Sequence, residues 1–241
     1  MNKLLFPTLA AAGLLFGACQ VRQTGSSNTE HMKIIEYYTG PCFGNCPVYT
    51  LSVFNDGTAR YDGRQLASRQ GIYTKTLDES TLSRIQQAFR SANLWQYPDT
   101  IPSRVPDYAQ VRFSFTDNGK TKTVSGKEDL PTALVNLQGQ MRILANADDW
   151  ELLEKPSFGL PNYVIPDEII VQLQAEADAQ QWVMGYQRQY ASLKAQLSRS
   201  MNIWLFRFDP YLTEPEHMLQ ILEKDPQVET AEFNKELGER R

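Results

Sequence analysis

Apolar and polar residues alternate in several short runs, and each run ends on a turn signal. Tyr49, Leu51 and Val53 fall on one face of a strand over 47–55, and Asp56-Gly57 then closes a hairpin. The same pattern predicts strands over 33–39, 58–66 and 71–77. Asp78 is a helix-capping residue, and after it Leu82, Ile85, Phe89 and Ala92 recur at helical spacing. That helix should fade near Trp95, before Pro98. Residues 99–107 carry Pro102 and Pro106 and predict a loop. Val111, Phe113 and Phe115 alternate with Arg112, Ser114 and Thr116; Asn118-Gly119 turns the chain, and 120–125 returns. Asp129 is placed to cap a second helix, with Pro131 in its first turn and Leu134, Leu137, Met141 and Leu144 on one face. Strands segregated from helices in this way predict an α+β domain over 33–150, an antiparallel sheet with two helices.

Residues 151–160 read as a linker, with Pro156 and Gly159 in it. A second domain follows over 161–241. Ile169, Ile170, Val171 and Leu173 predict a strand over 168–174, and Trp182, Val183, Tyr186, Tyr190 and Leu193 share one helical face. That aromatic face reads as core and not as a binding site. A short strand is expected near Leu197, and a strong one over 202–209. Thr213-Glu214-Pro215-Glu216 has the form of a capping box, with Thr213 at the N-cap. The helix behind it carries Met218, Ile221 and Leu222, stops at Asp225-Pro226, and leads to a last strand over 228–237. This order is the ferredoxin-like βαββαβ plan. The expected fold class is therefore α+β in both domains.

The first 18 residues follow a different pattern. Lys3 precedes an apolar stretch from Leu4 to Phe16, broken only by Pro7 and Thr8. Such a stretch is too short to span a bilayer and reads as a secretory signal. Phe16-Gly17-Ala18-Cys19 resembles the Leu-x-Gly/Ala-Cys ending of bacterial lipoprotein signals, with Phe16 where Leu is usual. The resemblance implies a cut before Cys19 and a lipid on Cys19; several acyl chains anchor stably where one holds only marginally. Residues 19–32 then form a lipidated cysteine and a polar tether around Gly25-Ser26-Ser27-Asn28. The expected location is the bacterial cell envelope, on a membrane. The competing reading is an uncleaved or simply secreted N-terminus.

The net charge of −4 is unevenly spread, because residues 151–241 hold 15 acidic and 9 basic side chains. Phosphate binding needs clustered Lys and Arg, and no such cluster is visible, so nucleic acid is an unfavoured partner. Lipidation of Cys19 leaves Cys42 and Cys46. In an oxidising compartment an even remainder suggests a disulfide, and the Pro- and Gly-rich loop 40–47 can bring the sulfurs together. So small a loop adds only about 2 kcal/mol and chiefly fixes a shape. A redox pair favours Cys-x-x-Cys, a zinc site needs further ligands, and haem attachment needs a following His. The two histidines, His31 and His217, sit in the tether and far downstream. No metal or cofactor is expected.

Two resemblances add to this reading. Gly40-Pro41-Cys42-Phe43-Gly44-Asn45-Cys46-Pro47-Val48-Tyr49, then Asp56-Gly57 and Tyr61-Asp62-Gly63, resembles an uncharacterised domain family of bacterial lipoproteins over about 33–145. That family carries a Pro-Cys-x-Gly-x-Cys-Pro-x-Tyr signature and implies no mechanism. Glu168-Ile169-Ile170-Val171, the run Leu219 to Val228 with Asp225-Pro226-Gln227-Val228, and Ala231-Glu232-Phe233-Asn234 resemble the propeptide and inhibitor domain of subtilisin-type serine proteases. In that family the last strand runs on into a tail that lies in the protease cleft. The catalytic domain that would follow is not in this sequence, which ends at Arg241.

Two functions are therefore expected to compete. In the first, the second domain binds or inhibits a subtilisin-type serine protease, with Glu232 facing the enzyme and Asn234, Leu237, Arg240 and Arg241 leading into its cleft. In the second, a non-catalytic envelope binding or scaffold lipoprotein uses the disulfide loop, with Phe43 exposed for recognition. An enzyme ranks last: Asp56, Asp62 and Asp107 all fall in turns or loops, where Asp serves local hydrogen bonds.

Overall fold

The structure is a computed structural model and describes residues 31–127 and 129–236. The signal sequence, Cys19, Leu237, Arg240 and Arg241 lie outside the described residues. The chain is α+β throughout, with two antiparallel sheets and helices packed on them.

The first sheet takes strands β1 (Lys33–Thr39), β2 (Tyr49–Phe54), β3 (Thr58–Gly63), β4 (Gly71–Thr76), β5 (Gln110–Asp117), β6 (Lys120–Lys127) and β7 (Glu151–Glu154). Their order is β6-β5-β1-β2-β3-β4-β7. The alternation read along the chain becomes a cross-strand row, Phe113, Tyr37, Leu51, Tyr61, Tyr73 and Leu152, each opposite the next. Helices α1 (Glu79–Ala92) and α2 (Thr132–Ala145) cover this face with Ile85, Phe89, Leu134, Leu137 and Met141. Each large side chain so buried contributes about 1.5–3 kcal/mol. Burial pushes the Tyr61 hydroxyl up to about 12, and raises that of Tyr49 further. Both rings therefore stay neutral in the core.

Asp78 caps α1 as expected, accepting from the Thr81 N–H at 2.8 Å. Asn93, in the left-handed region, ends the helix. The second cap differs from expectation. Pro131 occupies the N-cap of α2 with no side-chain bond. Asp129 instead accepts from the Arg104 N–H at 3.3 Å, which ties it to the 99–107 loop.

The expected linker also begins differently, since Glu151–Glu154 form β7 at the edge beside β4. The cause is Trp150, buried against Tyr61 with its indole N–H donating to the Leu144 carbonyl. That anchor lays the next four residues along the free side of β4. Gly71 permits the approach: its φ is +111°, and a Cβ there would lie 2.6 Å from the Glu154 carbonyl oxygen.

The second sheet takes β8 (Val164–Leu173), β9 (Ser192–Ser198), β10 (Ile203–Arg207) and β11 (Val228–Lys235), ordered β11-β8-β10-β9. With α3 (Ala179–Val183) between β8 and β9, and α4 (Pro215–Glu223) between β10 and β11, this is the ferredoxin-like arrangement. Ile169, Val171, Phe206, Trp182, Met218 and Leu222 form its core. Two local readings are corrected. The helix after Asp178 is short, because Tyr190 turns left-handed at φ 56° and the Asp209 N–H takes the Gln189 carbonyl. Leu193 therefore reaches the core from β9. The capping box does not form either: the Leu212 and Thr213 N–H groups bond the Asp209 carbonyl in a preceding turn, and α4 starts at Pro215 with Glu214 as N-cap.

The two sheets meet where loop 64–70 returns across Gly63. A Cβ on Gly63 would lie 1.8 Å from the Arg69 carbonyl oxygen, so only glycine fits. Gly139, inside α2, has nothing within 4 Å of such a Cβ. Gly63→Ala should therefore destabilise the chain by about 1–3 kcal/mol. Gly139→Ala should stabilise it by about 0.5–1 kcal/mol. Urea unfolding monitored by circular dichroism measures both, and equal effects of the same sign would refute the assignment.

Candidate functional site

Two surfaces carry the residues singled out by sequence. The first is the loop between β1 and β2. Cys42 and Cys46 form a disulfide, with Cα atoms 5.6 Å apart. The Phe43 N–H donates to the Asp107 carbonyl at 3.1 Å, and the Gly40 N–H donates to the Gln110 carbonyl at 2.8 Å. The bridged loop is thus docked on the end of the 99–109 segment. Phe43 stands at its tip, 91 % exposed, and Tyr108 is exposed on the segment it touches.

The second surface is the face of the second sheet that its helices do not cover. The buried residues of α3 and α4 all pack on the Ile169, Val171 and Phe206 side. Alternation puts Ile170, Ile203 and Leu205 on the other side, in register with Glu232 of β11 opposite Ile170. Glu232 is exposed there. Asn234 is engaged within the domain, because its amide donates to Glu168 at 2.7 Å. Lys194 donates to the same carboxylate at 2.5 Å. Glu168 is only 5 % exposed. Burial alone would raise its carboxyl pKa, but the bonds from Lys194 and Asn234 outweigh it and hold the group below the usual range. A charged, paired carboxylate therefore sits nearly buried on this face, ringed by Lys194, Asn234 and Arg207.

A second carboxylate organises the domain from the helical side. Asp225 accepts from the Trp182 indole N–H at 2.8 Å, the Gln227 N–H at 2.8 Å and the Tyr186 hydroxyl. Burial opposes its ionisation; the bonds from Tyr186, Gln227 and Trp182 win and lower its pKa. This explains the Asp-Pro-x-Val run in structural terms: Asp225 stops α4 and clamps the α3 region against the start of β11. The sequence pattern shows Asp225 as a helix stop and as part of the propeptide-like run, but not as an acceptor for Trp182 and Tyr186. The polar atoms of Trp182 and Tyr186, in a face otherwise read as apolar core, were the available signal, since such groups take partners when buried.

Of the acidic residues weighed as catalytic candidates, Asp56 and Asp62 make local contacts. Asp56 accepts from the Thr58 N–H at 2.9 Å and lies 2.9 Å from His31 Nδ1. Asp62 pairs with Arg64 at 3.1 Å. His31 stacks on Phe54, and His217 lies on α4. Among the described residues no cluster of His, Cys, Asp and Glu is arranged to hold a metal ion. No described helix is long and apolar enough to cross a membrane.

Residues 33–145 match a family described as a domain of unknown function, DUF6438. The match spans β1 to the end of α2 and includes the disulfide loop. No curated protein matches the chain.

The Asp225 clamp has a pH signature. A carboxyl whose pKa is lowered by folding contributes stability that is complete above its unfolded value, about 3.9, and lost as pH falls through the folded value. The thermal midpoint should fall below about pH 4, and less steeply in Asp225→Asn. Asp225→Ala should cost about 1–3 kcal/mol at neutral pH, because Trp182 and Tyr186 lose their acceptor. Scanning calorimetry at several pH values measures both, and identical pH slopes for parent and Asn variant would contradict the clamp.

Proposed function

We propose that the chain is a non-catalytic binding protein of the bacterial envelope, anchored through Cys19, whose second domain docks on a subtilisin-type serine protease and restrains it. The observation that carries this reading is the position of β11. Among the described residues it is the last strand, it lies at the edge of a four-stranded sheet, and one face of that sheet carries no helix. An edge strand leading directly into a following segment can hand that segment on to a partner in extended form, which is how a cleft accepts a strand-like inhibitor. The face turned from the helices offers half-buried Ile170 and Ile203 around the buried Leu205, with exposed Glu232 beside them. Exposed acidic groups such as Glu232 suit helix N-termini on the enzyme.

The resemblance of Glu168-Ile169-Ile170-Val171 and of the run through Asp225-Pro226-Gln227-Val228 to protease propeptides supports the same partner. A second reading rests on Phe43. A nearly fully exposed aromatic on a disulfide-braced loop is a ready recognition element. In that reading the DUF6438-like part binds an envelope component and the protease is not involved.

Inhibition assays separate the two. The lipid-free chain starting at Gln20 is tested against a subtilisin-type protease beside a form cut after Glu236, which keeps β11 whole. The reading predicts inhibition by the first and a loss of at least about tenfold in the second, with Phe43→Ser inhibiting like the parent. Absence of inhibition, or simple digestion, would sink the protease reading.

A further inference from the structure

The seven-stranded sheet ends in β7, and among the described residues the backbone of Glu151–Glu154 bonds only to β4. Natural edge strands are usually blunted by Lys, Pro or a covering segment. β7 is short, carries Glu151 and Glu154 and is followed by Lys155-Pro156, yet no described segment covers it: all four residues are exposed, and Leu153 is 63 % exposed. The register with β4 shifts at Leu153, so the strand also carries a bulge.

Beside β7 opens a cleft of about 570 Å³ between the two sheets. Its apolar lining includes Tyr73 and Leu152, the end of the cross-strand row that begins under the helices, together with Leu160 and Val164. Clefts of this size, apolar with a few charged groups and set between structural units, are the usual form of a binding site. The charges on the rim are largely matched: Arg207 pairs with Asp167, and Lys155 with Glu236. Along the strand they are not. Asp148, Asp149, Glu151 and Glu154 fall within one short stretch, and of these only Asp149 has a cationic partner, Lys75, among the described residues.

We propose that β7 and this cleft bind an extended peptide segment of a partner protein, apolar at one position and basic on either side of it. The unpaired strand edge calls for a polypeptide in β form, since only another backbone supplies the matching row of N–H and C=O groups. A peptide residue opposite Leu152 shares the face of Tyr73 and drops into the cleft. Its neighbours lie along Glu151 and Glu154, where basic side chains find unmatched carboxylates. The bulge limits backbone pairing to a few residues, so the side chain in the cleft and the flanking charges carry the rest of the recognition. The edge strand belongs to the first sheet, while Val164, Arg207 and Glu236 line the far side of the cleft; the proposal does not rest on the protease reading.

The test is fluorescence anisotropy of the full-length chain, in mild detergent, with a labelled peptide Lys-Val-Arg-Leu-Arg-Val-Lys. Two comparison peptides are used. One is the same sequence N-methylated at alternate backbone nitrogens; the other replaces every basic residue by Glu. The proposal predicts saturable binding of the basic peptide and a loss of about tenfold or more on N-methylation. A Glu151→Lys, Glu154→Lys double variant, altered only at exposed positions, should lose the basic peptide and take up the acidic one. Leu152→Thr, which keeps a strand former, should weaken binding without changing the charge preference. Absence of binding, binding indifferent to N-methylation, or binding unchanged by charge reversal would each overturn it.

Discussion

Asp209 lies two residues beyond β10, 6 % exposed, and its carboxylate accepts the Leu66 N–H at 2.6 Å and the Tyr211 N–H at 2.9 Å. The first of these bonds crosses from one sheet to the other. Leaving a buried donor or acceptor unpaired costs about 1–3 kcal/mol, and here the bond joins a backbone N–H of one loop to a nearly buried side chain beside the other sheet. Leu66 is held at φ 56°, a conformation that costs a non-glycine residue on the order of 1 kcal/mol. The bond to Asp209 and the close return of loop 64–70 over Gly63 offset that strain. Around the junction the Tyr211 ring packs edge-on against Phe158, at 4.9 Å, with the Arg64 guanidinium 6.0 Å from its centre. Because the junction fixes one sheet against the other, the cleft beside β7 has a defined shape and the second sheet keeps one face free.

Much of this was legible in the chain, and the reasons differ by element. The strands of the first sheet follow from strict alternation, as with Val111, Phe113 and Phe115, because a one-residue slip would turn the whole row to solvent. Asp78 and the Ile85, Phe89, Ala92 spacing gave α1 for the same kind of local reason. The ferredoxin-like order was visible because Asp-Pro and Thr-Glu-Pro punctuate the second half. The failures are all tertiary. β7 exists because Trp150 is anchored on Tyr61 and Leu144, which no local pattern encodes. The short α3 reflects a backbone bond from Asp209 to Gln189. Asp129 and Thr213 carry the right chemistry for caps, but each is drawn into a different contact. Of the residues expected to meet a partner, Phe43 and Glu232 are exposed, whereas Asn234 is spent on Glu168.

These placements bear on function in a simple way. The first sheet buries a broad aromatic face and presents a rigid loop at one end; the second supplies a free edge strand and a free face. In the proposed binding role, such fixed shape would limit the entropy lost on contact. Glu168 is nearly buried and matched within the domain by Lys194 and Asn234, so its charge is satisfied before any contact forms.

The central claim is that the second sheet, and not the disulfide loop, meets the protease. Hydrogen–deuterium exchange of the chain, alone and mixed with a subtilisin-type protease whose catalytic serine is chemically blocked, tests this most directly. The account predicts slowed exchange along β11 and in the β8 and β10 segments around Ile170 and Leu205, with loop 40–47 unchanged. Slowing confined to the loop around Phe43, or no slowing anywhere, would contradict it.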